Sequence, residues 1–230
     1  MDEMTMMRLT IQSARSRPTA MFLASLVALL AVSAAVPATE PQSPQVLVEL
    51  AESDFAAGRI EASIAAFDRL AALVPSAAPT LWQRGIALYI AGRYTDCEAQ
   101  FASFYAEDPA DLENATWHFF CAARAQSVER ARAGLLKAGP DPRVLRQQIY
   151  EMLAGQRTPD QLLDLSGKSV ALVQFYGHLY VGLYMDASGN RKAAIDCLTA
   201  AANERYDEYG GFMNVVAKVY VERLRKQAVK

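Results

Sequence analysis

The chain has 230 residues, 52% of them hydrophobic and 21% charged, with a formal net charge of −2 at neutral pH. That length suffices for one ordinary core or a short repeat array, and an Ala- and Leu-rich composition favours helix. The near-zero charge argues against a nucleic-acid binder, whose affinity rests on clustered Lys and Arg against phosphate. Here the basic residues are scattered, and the densest grouping is Arg223, Arg225, Lys226 and Lys230.

Between Met4 and Thr39 there is no acidic residue, and the only charges are Arg8, Arg15 and Arg17. Ala20 to Val36 is a run of apolar and small residues ending in Ser33-Ala34-Ala35-Val36-Pro37-Ala38. A basic region, a short apolar stretch and small residues at its end form the pattern of an export signal, residues 1–38, cut after Ala35 or Ala38. No Cys follows the run, which argues against lipidation. Two other readings stand beside it: an uncleaved anchor, since the run is near the ~20 residues that span a bilayer, and an organelle transit segment ahead of a lumenal signal. Membrane contact is expected only for the uncleaved form. Without residues 1–38 the chain carries 20 basic and 23 acidic residues, a net charge of −3.

Residues 39–44 are a Pro-rich linker that cannot be helical. A helical pair follows over 45–75, with Leu47, Leu50 and Ala51 inward, a stop at Gly58, and Ile64, Phe67 and Leu70 on one face of the second helix. A second pair over 78–109 copies it with Leu81, Gly85, Leu88, Gly92, Cys97, Phe101 and Phe104. Small residues at Ala51, Ser63, Gly85 and Cys97 let the paired helices approach closely.

Over 111–165 the pattern is degenerate but helical. Asp111 and Ser127 read as helix caps, Gly139-Pro140-Asp141-Pro142 as a break, and Arg143–Ala154 as a helix ending at Gly155. Thr158-Pro159-Asp160-Gln161 reads as a capping box with proline first inside. The pattern returns over 175–204, where Gly182, Gly189 and Leu198 recover the small, turn and apolar positions. A last segment over 207–226, helical from Phe212 with Val215, Val216, Val219 and Tyr220 inward, is expected to cap the open end.

The recurrence has a fixed period of 34 residues. Gly58-Arg59-Ile60 returns as Gly92-Arg93-Tyr94, Phe67 as Phe101, Pro75 as Pro109, Ala51 as Gly85 and Leu47 as Leu81. Residues 44–109 and about 175–208 thereby resemble the tetratricopeptide repeat family. The resemblance implies an all-α, right-handed superhelix of about five helical hairpins plus the capping helix. Trp82-Gln83-Arg84-Gly85-Ile86-Ala87-Leu88-Tyr89, Phe104-Tyr105-Ala106-Glu107-Asp108-Pro109 and Trp117 are also similar to bacterial outer-membrane tetratricopeptide lipoproteins that scaffold peptidoglycan hydrolases and a protease. Gly139-Pro140-Asp141-Pro142-Arg143 is similar to uncharacterised tetratricopeptide-like proteins of phototrophs and their organelles. What these likenesses imply is adaptor work rather than catalysis in a periplasmic or secreted setting, or in a plastid lumen if the source is eukaryotic, with no cofactor.

In such repeats the first helix of each pair lines a concave groove. That places Val48, Glu52 and Phe55, then Trp82, Ile86 and Tyr89, then Tyr176, Leu179 and Leu183 along an apolar face suited to a protein or peptide partner. The competing reading is that the same residues pack against neighbouring helices. The Lys and Asn clamp by which chaperone-tail binders hold a terminal carboxylate is absent, its positions being Val48 and Glu52, with Pro79 and Gln83 in the next repeat. Tyr176, Tyr180 and Tyr184 form one helical stripe, read as core packing with hydroxyls at the edge.

Cys97, Cys121 and Cys197 sit at apolar positions and read as small buried residues; an oxidising compartment also allows a Cys97–Cys121 disulfide. His118 and His178 lack the spacing of a zinc site, and a Cys197–His178 nucleophile pair has nothing visible to orient it. Two rivals to the scaffold reading are a thiol-dependent or other hydrolase within 110–165 and a self-associating structural protein, a homodimer.

Overall fold

The computed structural model describes residues 42–228. The export-signal reading of residues 1–38 lies outside the described residues. Among the described residues the chain is all-α, with eleven α-helices and two 3-10 turns.

The helices come in sequential pairs set by one repeated turn. α1 (Pro44–Ala56) and α2 (Ile60–Leu73) meet at Gly58, α3 (Trp82–Ala91) and α4 (Tyr94–Glu107) at Gly92. α7 (Val144–Leu153) and α8 (Pro159–Gly167) meet at Gly155, α9 (Ala171–Ala187) and α10 (Arg191–Ala201) at Gly189. All four glycines are left-handed, with φ between 72° and 86°. At each the same two hydrogen bonds close the helix: Gly92 N–H donates to Tyr89 O (3.0 Å) and Arg93 N–H to Leu88 O (2.9 Å), as Gly189 does to Asp186 O (3.0 Å) and Asn190 to Met185 O (2.9 Å). This is the Schellman arrangement, which satisfies the last carbonyls of the helix and needs a residue without Cβ at the left-handed position.

The 58→92 interval of 34 residues is matched by 155→189. The middle pair, α5 (Leu112–Ala125) and α6 (Val128–Ala133), turns at Gln126, 34 residues after Gly92 but without a left-handed residue. Its helices are capped from the side chains instead, Asp111 accepting from Glu113 and Asn114 N–H and Ser127 from Arg130 N–H. Thr158 and Gln161 form the reciprocal capping box expected from their spacing. The segment 134–143 carries no regular structure and is tied down by Tyr105 Oη to Lys137 O (2.9 Å) and Tyr150 Oη to Leu136 O (3.0 Å).

Pairing depends on small residues. A Cβ at Gly85 would stand 2.5 Å from Phe101 Cε2, and one at Gly182 would stand 2.7 Å from Leu198 Cγ. The two contacts are the same joint, sixteen residues apart in each pair, and Phe101 and Leu198 are buried. Cys97 on α4 is not a mere spacer: it is disulfide-bonded to Cys121 on α5, with Cα atoms 5.6 Å apart and both residues fully buried.

The main core centres on Trp117, whose ring meets Tyr89 (5.7 Å), Phe101 (6.1 Å), Phe120 (6.1 Å) and Tyr180 (6.5 Å). A smaller cluster of Leu47, Ala51, Ala66, Phe67, Leu70 and Leu81 holds the first pair. The last helix, α11 (Phe212–Ala228), packs on α10 and reaches α1 as well. It therefore does more than close the end of the chain.

Gly85→Ala is expected to cost about 1–3 kcal/mol, because the buried Phe101 ring cannot retreat. Gly167→Ala, where nothing lies within 4 Å, should be neutral or slightly stabilising. Chemical denaturation of the two variants checks the contrast.

Candidate functional site

The side chains expected to line a groove fall into two groups. On α1, Val48 and Glu52 are half-buried, and Gln83 Nε2 on α3 donates to Glu52 Oε1 at 3.0 Å. Trp82 at the start of α3 is 37% exposed. Phe55, Ile86 and Tyr89, lower on the same helices, are fully buried. On α9, Leu179 and Leu183 are sealed in the main core. Tyr176 is half-buried against Tyr180 (6.0 Å, stacked) and Phe175 (4.8 Å).

The lower part of the α1–α3 face is covered by the chain's own α11. Phe212 lies 4.9 Å from Phe55 and takes the edge of Trp82 at 5.4 Å. Tyr220 meets Tyr89 at 5.5 Å, and Arg223 Nη2 donates to Ala91 O at 3.0 Å. Since Phe212 sits at the start of α3 and Arg223 at its end, α11 runs along α3 in the same direction. Its other face buries Met213, Val216, Val221 and Leu224. At ~1.5–3 kcal/mol for each large side chain, removing α11 would cost on the order of 10 kcal/mol. A micromolar partner supplies about 8 kcal/mol. The helix is a fixed floor, and the part of the face left open is its upper rim: Val48, Glu52 and Trp82.

A buried ionic node latches this floor. Asp186, 2% exposed, receives Arg124 Nη1 at 2.9 Å, Arg191 Nη1 at 3.4 Å and the Tyr220 hydroxyl at 2.5 Å. Arg124 also donates to Asp186 O (3.0 Å) and to the Tyr94 hydroxyl (2.8 Å). Burial, with Tyr89 and Asp186 adding to it, holds the Tyr220 hydroxyl far above its ordinary pKa, so it stays a donor. Every partner in the node is engaged, which makes it an anchor rather than a general base; breaking one member would leave a buried charge uncompensated. A second cluster joins α5, α7 and α9: Glu113 takes Arg146 Nη2 at 2.7 Å and the Tyr180 hydroxyl at 3.0 Å. Burial raises the Glu113 carboxyl despite Arg146. The Tyr stripe packs inside as expected, but its hydroxyls do not all reach the edge: Tyr180 is buried and donates to Glu113, while half-buried Tyr184 accepts from Arg132.

Neither cluster was visible in sequence, since Arg124 and Asp186 lie 62 residues apart and Glu113 and Tyr180 lie 67 apart. Cys97 and Cys121 are consumed by the disulfide. The remaining thiol, Cys197, is half-buried and pushed up in pKa by burial, Asp196 and Asp160, which disfavours the nucleophilic thiolate. Among the described residues His178 Nδ1 has no hydrogen-bond partner. Among the described residues no group of three or more His, Cys, Asp or Glu could hold a metal ion, and no helix is long and apolar enough to cross a membrane. No protein-family model matches this chain, and no curated protein matches it.

Two measurements follow from this geometry. In the native state one thiol per chain, Cys197, should react with a thiol reagent. Cys97→Ala/Cys121→Ala should lose about 3–4 kcal/mol, for a cross-link spanning a sequence separation of 24. Burial also lowers both imidazoles below the ordinary 6.5, with Glu98 opposing this at His118 and Arg205 reinforcing it at His178. The unfolded chain then binds protons first, so stability is whole above pH 6.5 and falls as the pH drops below it. Equilibrium unfolding from about pH 7.5 to about 5.5 should show this fall, and His118→Gln/His178→Gln should flatten it.

Proposed function

We propose that the exported, mature chain is a tetratricopeptide-type scaffold, a right-handed superhelix of five hairpins that binds a protein or peptide partner and performs no catalysis. One observation carries the reading: Trp82 is left 37% exposed at the rim of the α1–α3 face, standing edge-on to Phe212 over a floor that α11 makes rigid. Large aromatics held in place beside half-buried apolar and polar neighbours, here Val48 and Glu52, are what interface anchors are made of. A preset anchor also avoids the entropy of ordering it on binding.

The 34-residue spacing of the left-handed glycine turns supports the repeat assignment, because each unit then ends in the same geometry. The buried Cys97–Cys121 disulfide supports an oxidising compartment, periplasmic, secreted or plastid-lumenal. The reading narrows the groove expected from sequence to its open rim. Phe55 lies beneath that rim through Phe212, while Ile86, Tyr89, Leu179 and Leu183 are buried in the main core and take no part in partner contact on this reading.

Trp82→Ala should abolish capture of partners from the native compartment while leaving the fold intact, apart from the ~0.5–1.5 kcal/mol of its contact with Phe212. Tyr89→Ala should instead cost about 3–5 kcal/mol of stability, as for a large buried aromatic. Recovery of the same partners by wild type and Trp82→Ala would sink the rim as the binding site.

A further inference from the structure

At the end of α3 remote from Trp82, the α1–α2 turn and the second half of α11 enclose an open cleft of ≈ 550 Å³. Its apolar lining is Ala56, Ala57, Ile60 and Val219, and its charged lining is Lys218, Glu222, Arg223 and Lys226.

The charges are not balanced from within. Glu222, the one carboxylate, is already answered by Arg225 at 2.7 Å, and Arg225 does not line the cleft. Lys218 is paired with Asp207 at 2.6 Å. Arg223 spends one donor on a neutral carbonyl, Ala91 O. That bond fixes the guanidinium while leaving its charge without a carboxylate among the described residues. Lys226 likewise has no carboxylate partner among them. Two cations thus stand unneutralised beside an apolar wall, one of them pre-positioned with free donors in the fork geometry that fits a carboxylate.

We propose that this cleft binds an acidic peptide segment of the partner, with a Glu or Asp carboxylate on Arg223 and Lys226 and an adjacent apolar side chain against Ala56, Ala57 and Val219. The inference rests on the scaffold reading and gives the partner a chemistry. The site is not the Lys and Asn clamp, whose positions at Val48 and Glu52 lie elsewhere on α1. Arg223 at its edge bonds to Ala91 O, at the far end of the ten-residue helix that Trp82 opens, so one extended segment could touch both.

The test uses the mature chain and a fluorescein-labelled peptide of alternating Glu and Leu, read by anisotropy. Wild type should bind it, and a Gln-for-Glu peptide should bind about tenfold more weakly, the worth of one charge-assisted hydrogen bond. Lys226→Glu, at an exposed position, should weaken the Glu peptide by about the same factor. Lys192→Glu, an equal charge change on exposed α10, should leave it unchanged. Absence of binding to wild type, or an equal loss in Lys192→Glu, overturns the cleft. Partner capture then separates the two claims: partners kept by Lys226→Glu but lost by Trp82→Ala refute the cleft alone, and partners kept by both refute the rim as well.

Discussion

The seating of α11 between α10 on one side and α1 and α3 on the other is the contact on which the rest of the arrangement depends. Without it, Phe55 and Tyr89 would lose the rings of Phe212 and Tyr220 that cover them, baring an apolar aromatic surface of the kind that drives association. With it, the first two helical pairs and the last are joined, because α11 touches α1 and α3 on one side and α10 on the other. The Asp186 node reinforces this from beneath, since Tyr220 on α11 and Arg124 on α5 share one carboxylate on α9. Three elements distant in sequence thereby converge on a single buried charge. An array that would otherwise be held only by nearest neighbours gains a closing contact.

That closure shapes what the surface can do. A flexible groove would pay an ordering cost for each ligand, whereas a rim braced by a packed helix offers its aromatic anchor already in position. The same brace limits the breadth of what can bind, because the deep part of the face is filled. The open features lie at opposite ends of α3, the Trp82 rim at its start and the basic cleft at its end. Between them α11 presents its solvent side, so a partner would lie across the helix instead of replacing it.

How much of this could be read from the sequence follows from the range of each interaction. The turns at Gly58, Gly92, Gly155 and Gly189 are legible because a Schellman closure is decided within six residues and only glycine tolerates its left-handed position. The caps at Asp111, Ser127 and Thr158 are legible for the same reason. The close joints at Gly85 and Gly182 follow from helical period alone. The position of α11 does not. Its inward residues were identifiable, Val216 and Tyr220 among them, but an amphipathic helix shows only that it is covered, not by what. An end cap and a groove filler share one pattern. The ionic node was equally hidden, for nothing local marks Arg124 or Asp186 as partners. Of the side chains expected along that face, Trp82, Val48 and Glu52 keep contact with solvent, while Ile86, Tyr89, Leu179 and Leu183 are buried in the core, a difference of depth that helical period does not encode.

Because α11 follows α1 and α3 by more than 120 residues, the order of synthesis gains a meaning. Phe55 and Tyr89 are made well before the helix that covers them. The aromatic surface that Phe55 and Tyr89 turn towards Phe212 and Tyr220 therefore stays without that cover until the residues of α11 have been made.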